Sequence, residues 1–276
     1  MDGGICVRII LSPAKKMRED TDSLAPKGQP VFLDRAGELL ERLRAMPYHQ
    51  LKGLLACSDA IAQLNYRRYQ QMDLARGWTP ALLAYEGIQY QYMAPGVFTW
   101  QEFDYIQEHL RILSGFYGLL RPFDGVVPYR LEMQAKLQIG ACRNLYEYWG
   151  GCLARALEAE GGAVLNLASE EYSRAVTRHL RPGTRCITPV FAEWEAGRLK
   201  EKGVYVKMAR GEMVRFLAEG QVEDWEKIKD FDALGYRFQP SLSDRNTYVF
   251  ARQKQKTAPQ WPEKEQTPEE KEIIIT

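Results

Sequence analysis

Histidine is scarce in this sequence: only His49, His109 and His179 occur, and no two stand at metal-ligand spacing. A histidine-built zinc or iron site is therefore not expected. The five cysteines, Cys6, Cys57, Cys142, Cys152 and Cys186, are scattered and never form Cys-x-x-Cys. That pattern suits reduced thiols packed as small hydrophobes. No metal and no cofactor are expected. No apolar run approaches the roughly 18–20 residues that span a bilayer, so no membrane partner is expected. The opening Met1-Asp2-Gly3-Gly4 lacks the basic segment of a secretory signal, and the expectation is a cytoplasmic protein. Charge of one sign is missing too. The net charge is +1, so any attraction for an anion must come from a local cluster.

What remains is ordinary globular composition, with 45% hydrophobic residues and 15 tyrosines. A chain of 276 residues suits one core. Cys6–Leu11 reads as a buried strand, followed by a polar loop over Lys15–Pro30. Helical periodicity over Phe32–Met46 puts Leu33, Ala36, Leu39, Leu40 and Leu43 on one face. Pro47 interrupts it. Helices follow over His49–Cys57 and Ser58–Met72, with Ser58 as a cap. The pattern predicts a helical turn from Pro80 and a helix over Trp100–Leu113, then a compact Gly/Pro-rich segment. It further predicts a helix over Leu145–Ala159, a strand over Ala163–Leu167 and a helix capped by Ser169. Strands are expected at Cys186–Phe191 and Val204–Met208, helices at Gly211–Gly220 and Val222–Lys229, and a closing strand pair at Tyr236–Phe238 and Thr247–Arg252. The fold expectation is mixed α/β (α+β): a single compact domain over residues 1–252, with a mixed sheet and a helical N-terminal half. Residues 253–276 read as a charged, flexible tail.

Four segments could carry chemistry. Leu11-Ser12-Pro13-Ala14-Lys15 ends a strand with a hydroxyl and an ammonium, where α/β ligands often bind. The alternative is a capped turn with a surface lysine. The run Leu110–Lys136 places Arg111, Arg121 and Arg130 among glycines, prolines, Tyr117 and Tyr129. Glycine permits close backbone approach, and arginine offers a planar fork to phosphate or carboxylate. The alternative is an arginine–Glu132 structural pair beside a tight turn. Asn166 and Ser169, near Tyr172, end the strand Ala163–Leu167 and open a helix, which simple capping would also explain. Lys207 and Arg210 end the expected strand Val204–Met208, with a solvated charge pair as the alternative. Together the four could ring an anionic ligand, either a nucleotide or a nucleic-acid backbone.

In this order the segments resemble the YaaA family of peroxide-stress proteins, also grouped as UPF0246. The resemblance is carried by Ser12–Lys15, Leu113–Pro122, Pro128–Met133, Leu145–Gly150, Asn166–Tyr172 and Ala209–Gly211, and covers roughly residues 7–252. It implies a cytosolic peroxide-stress protein that limits free-iron-dependent oxidative damage. It also implies a positively charged cleft and a helix-hairpin-helix-like element that binds double-stranded DNA. That element maps to residues 32–76, with Lys52, Ser58, Arg67 and Arg68 as its contact residues. The turn here reads Cys57-Ser58-Asp59 in place of Gly-hydrophobic-Gly.

The leading expectation is thus a DNA-binding stress protein, monomeric, gripping phosphates through Lys15, Arg111, Arg121, Arg130, Asn166, Ser169, Lys207 and Arg210. The runner-up is an enzyme acting on a nucleotide or nucleobase-like small molecule. Its candidate catalytic residues are Ser12, Lys15, Tyr117, Tyr129 and Glu132.

Overall fold

The structure is a computed structural model and describes residues 7–76 and 79–253. The strands of its main sheet are β1 (Val7–Leu11), β2 (Leu110–Ser114), β3 (Gly118–Leu120), β4 (Ala163–Leu167), β5 (Cys186–Glu195), β6 (Arg198–Lys200), β7 (Arg237–Phe238) and β8 (Thr247–Gln253). Their order is β7-β8-β5-β4-β1-β2-β3, with β6 folded back on β5. The five central strands β8, β5, β4, β1 and β2 are parallel, and the flanking pairs β2–β3, β5–β6 and β7–β8 are antiparallel. β1, β2 and β4 are buried at every position, as strands covered on both faces must be.

Helices cover the sheet. In the N-terminal half they are α1 (Leu33–Arg44), α2 (Tyr48–Leu55), α3 (Asp59–Gln71), α4 (Ile88–Met93) and α5 (Trp100–His109), with a single helical turn at Ala81–Ala84, where one was expected from Pro80. In the C-terminal half they are α6 (Leu145–Trp149), α7 (Cys152–Ala159), α8 (Glu170–Thr177), α9 (Gly203–Glu219) and α10 (Trp225–Ile228). One continuous apolar core runs from Val7 to Phe250. The mixed α/β expectation is met, as is the closing antiparallel pair β7–β8. Gln253, placed in the tail by the sequence, is the last residue of β8. The rest of that tail, and Cys6, lie outside the described residues.

The strand expected at Cys186–Phe191 runs on to Glu195, the expected loop Lys15–Pro30 holds a two-residue strand at Lys16–Met17, and four further elements differ from the sequence reading. Val204–Met208 is not a strand: it is the first part of α9, which continues to Glu219. The β-branched pair Val204 and Val206 favours a strand locally, but Val206, Ala209, Met213, Val214 and Leu217 repeat at helical spacing and are all buried. Packing over the long window decides it. The expected helix Trp100–Leu113 ends at His109, and Leu110–Ser114 becomes β2. Its short apolar run fits helix or strand, and pairing with β1 settles the matter. Leu145–Ala159 splits into α6 and α7 at Gly150, whose φ of 47° breaks the helix. The helix expected over Val222–Lys229 shortens to α10, begun by Asp224, whose side chain accepts from the Glu226 N–H.

Two glycines set close approaches that the site depends on. A Cβ at Gly211 would lie 2.1 Å from the Gln89 carbonyl oxygen, so only glycine lets α9 lie against α4. A Cβ at Gly115 would lie 2.4 Å from the Leu131 carbonyl oxygen, which fixes the segment after β2 against the one carrying Glu132.

Candidate functional site

β1 lies between β2 and β4, so the chain departs from it in opposite directions across the sheet. In α/β sheets such a switch point leaves a crevice beyond the carboxyl ends of the strands. Here Leu11 and Leu167 end side by side, and a cavity of about 380 Å³ opens beyond them. It is lined by Ser12, Lys15 and Lys16 after β1, Glu86–Tyr90 around the start of α4, Ser169, Glu171 and Tyr172 at the start of α8, and Lys207 and Arg210 of α9.

Backbone and hydroxyl bonds lock its floor. The Ser12 hydroxyl accepts from the Ser169 N–H at 2.8 Å and lies 3.2 Å from the Ser169 hydroxyl. The Ser12 carbonyl accepts from the Gln89 amide at 3.1 Å and the Tyr90 hydroxyl at 3.0 Å. Ser169 opens α8, yet its side chain does not cap the helix, contrary to the sequence reading. It faces Ser12 instead.

The charges differ in how they are satisfied. Lys15 pairs with Glu132 at 2.9 Å, and Lys16 with Glu86 at 3.0 Å. Arg210 forms no ion pair within the described residues, and its buried Nε has no hydrogen-bond partner. Burial lowers its pKa below the ordinary arginine value, with Glu201 acting in the opposite direction. Lys207 is exposed and also unpaired among the described residues. Burial raises the Glu171 carboxyl above its usual range, opposed by the Gln134 N–H, which it accepts at 3.3 Å, while Glu132 raises it further.

Lys15 also borders a second cavity, of about 680 Å³, between α2 and the segment Arg130–Lys136. Gln50, Gly53, Leu54, Leu55 and Ala56 form one wall, and Arg130, Glu132, Gln134 and Lys136 the other. Arg130 pairs with Glu132 at 3.2 Å, so the arginine–Glu132 pair weighed from the sequence is present and is shared with Lys15.

Ser12, Lys15, Ser169, Lys207 and Arg210 therefore come together, and Arg130 and Glu132 adjoin them. Lys207 and Arg210 reach the cavity from a helix, not from a strand end. The remaining candidates are placed elsewhere. Arg111 is buried on Glu160 at 2.7 Å, and Arg121 reaches the same carboxylate at 3.1 Å; both lie away from the cavities. Asn166 is buried, giving its amide to Thr188 and accepting from the Ala168 N–H. The Tyr117 hydroxyl accepts from the Val127 N–H. Tyr129 is bonded to Ser114 at 2.6 Å and Tyr85 at 2.8 Å, and burial pushes its pKa up to about 12. These two phenols serve packing behind the site.

In the element at residues 32–76, α2 and α3 are joined by Ala56-Cys57-Ser58, with Ala56 left-handed at φ 45°. Ser58 precedes α3 without a side-chain capping bond. Lys52 is tied to Asp59 at 2.7 Å. Arg67 is exposed, and Arg68 lines a separate cavity with Glu19 and Asp73. It is α2, not α3, that faces the candidate site. The sequence reading missed Gln89, Tyr90, Glu171 and Lys136 as site residues. The Tyr-rich stretch around Gly87 was the only local signal of Gln89 and Tyr90, whereas Glu171 and Lys136 lie in segments singled out from the sequence without being named themselves.

Among the described residues no group of three or more His, Cys, Asp or Glu could hold a metal ion, and no helix is long and apolar enough to cross a membrane.

Fold and site together define a mixed α/β protein with a cavity, bordered by cations and hydroxyls, at the switch point of its parallel strands. Residues 7–242 match the family model described as peroxide stress protein YaaA. The chain is 57% identical over 246 residues to a UPF0246 protein of Desulfitobacterium hafniense (strain Y51), covering 89% of this chain and 98% of that one. It is 52% identical to a UPF0246 protein of Agathobacter rectalis, across 89% of this chain and 99% of the other, and 50% identical to one of Lactiplantibacillus plantarum, across 88% and 98%. The chain belongs to the YaaA peroxide stress protein family.

Proposed function

We propose that this chain binds double-stranded DNA by its phosphates through a cationic cleft, and so limits free-iron-dependent oxidative damage in the cytoplasm during peroxide stress. The observation that carries this reading is the position of Lys15, shared by two adjoining cavities. Lys136 and Arg130 stand on one side of it, and Lys207 and Arg210 on the other. Lysine and arginine spaced along a surface suit a phosphate backbone, and they position a duplex without reading its bases. α2 of the helix-hairpin-helix-like element forms the outer wall, bringing that element beside the same path.

The test is a gel-shift titration of a duplex at rising salt. Five phosphate contacts, one for each of these cations, predict a loss of affinity of about 500-fold between 50 and 200 mM salt. Lys136→Ala and Lys207→Ala, both at exposed positions, should each weaken binding and flatten the salt dependence. Binding that ignores salt, or that both variants leave unchanged, refutes the reading. Cleavage of the bound duplex by ferrous iron and peroxide should fall below that of free duplex.

A second reading is favoured by one observation: the smaller cavity is walled by buried Ser12, Tyr90 and Tyr172 as well as by cations. That enclosure suits an enzyme acting on a nucleotide or nucleobase-like small molecule. Mass spectrometry of the purified protein and a thermal-shift panel of nucleotides test it. No bound molecule and no shift would end it.

A further inference from the structure

Two cations of the smaller cavity, Lys207 and Arg210, have no ion-pair partner among the described residues. Lys15 shares the Glu132 carboxylate with Arg130, and Lys16 pairs with Glu86. Glu171, the remaining carboxylate of the lining, accepts the Gln134 N–H. Two positive charges on adjacent turns of α9 thus face the cavity unpaired. One is a guanidinium whose Nε is cut off from solvent and unpartnered. A buried N–H left so is costly unless a ligand completes it.

Neutral donors converge on the same space. Ser12 and Ser169 share one contact at 3.2 Å, and since the Ser12 oxygen already accepts from the Ser169 N–H, a hydroxyl proton of the pair remains to donate. Ser169 stands immediately before α8, whose first amides have no intrahelical acceptor. Lys207 and Arg210 together can meet the charge of a phosphate monoester, about −1.5 to −2, and the Glu171 carboxylate on the same lining offsets part of theirs, so it is shape that separates a monoester from a backbone diester. A monoester carries one substituent and can enter a walled cavity end-on, whereas a mid-strand diester must pass two chains out of it.

We propose that the cavity bounded by Ser12, Ser169, Lys207 and Arg210 is a binding site for a phosphate monoester. It rests on reading this cavity as an anion site. The ligand is either the terminal phosphate of a nucleic-acid strand or a small phosphorylated molecule, and the two share the chemistry the cavity recognises.

The first arm of the test titrates the full chain with inorganic phosphate by calorimetry, with Arg210→Met and Lys207→Met beside it. Wild type should bind, and each variant should lose about tenfold or more in affinity, the scale of one charge-assisted contact. Lys207 is exposed, so its variant keeps the fold and remains informative if Arg210→Met does not fold. Absence of phosphate binding, or equal binding by wild type and Lys207→Met, overturns the proposal. The second arm compares one duplex bearing a 5′-phosphate with the same duplex bearing a 5′-hydroxyl, and adds adenosine 5′-monophosphate. Preference for the phosphorylated end assigns the site to strand termini. Tight binding of the mononucleotide without end preference assigns it to a small molecule. Either supports the monoester site. Equal affinity for both duplexes with no mononucleotide binding overturns it while leaving the DNA reading standing. Loss of all duplex binding with phosphate binding intact does the reverse.

Discussion

The Lys15 ammonium lies 2.9 Å from the Glu132 carboxylate, and the same carboxylate holds Arg130 at 3.2 Å. This one acid restrains two cations at the junction of the two cavities. The Lys15 side chain is 64% exposed and that of Glu132 only 16%, so the lysine is free to move while the acid is not.

Glu132→Gln keeps the shape and removes the charge. Under the DNA reading, both cations become available to phosphate. Duplex affinity should rise about threefold to tenfold, the scale of a surface pair released, and its salt dependence should steepen. A gel shift with the variant checks this. Weaker binding would instead mean that Glu132 positions Lys15 for its contact.

Gly211→Ala puts a methyl group on the Gln89 carbonyl, and both partners are backbone, so neither can yield as a side chain would. Overpacking of this kind costs about 1–3 kcal/mol. Urea unfolding should show that loss, and because Arg210 is the adjacent residue, phosphate affinity should fall with it. Gly37 of α1 is the control. A Cβ there meets nothing within 4 Å, so Gly37→Ala should stabilise by about 0.5–1 kcal/mol.

Asp124 gives the stability a pH dependence. Burial pushes its carboxyl up to about 6, against the Arg121 N–H that it accepts at 2.8 Å. Between its unfolded value near 3.8 and about 6, the folded state binds more protons than the unfolded. Its contribution is therefore full below the unfolded value and is lost as pH rises through 6. Asp124→Asn retains an acceptor without the charge. The stability of the variant relative to wild type should grow from pH 4 to pH 6.5 and then level off. Chemical unfolding at stepped pH measures it, and parallel curves would show that Asp124 does not titrate in this range.

The legible parts of the chain were those where one segment settles its own state. The strand Ala163–Leu167 is a short apolar run after Gly161-Gly162, and α1 repeats its leucines at helical spacing before Pro47. Ser12, Lys15, Ser169, Lys207 and Arg210 were also readable, because hydroxyls and cations at element ends stand out from their surroundings. Gln89 and Tyr90 did not stand out. They join the site only because Gly211 lets α9 approach α4, a contact between residues more than a hundred positions apart. Arg111 and Arg130 looked alike in sequence, both set in the same Gly/Pro-rich run. Long-range geometry gave one to Glu160 in the interior and the other to Glu132 beside the cavity.

By itself the sequence determined the mixed α/β class and the family block around Leu113–Met133, since composition, periodicity and short motifs are local properties. Tertiary structure alone decided that Leu110–Ser114 is a strand and Val204–Met208 a helix. Pairing with β1 and burial along α9 outweigh the local preference of five residues. It also decided which cations are spent and which are free. Ion pairing depends on distance in space: Glu132 and Glu86 reach Lys15, Arg130 and Lys16, Glu160 holds Arg111 and Arg121 elsewhere, and Lys136, Lys207 and Arg210 have no ion pair among the described residues.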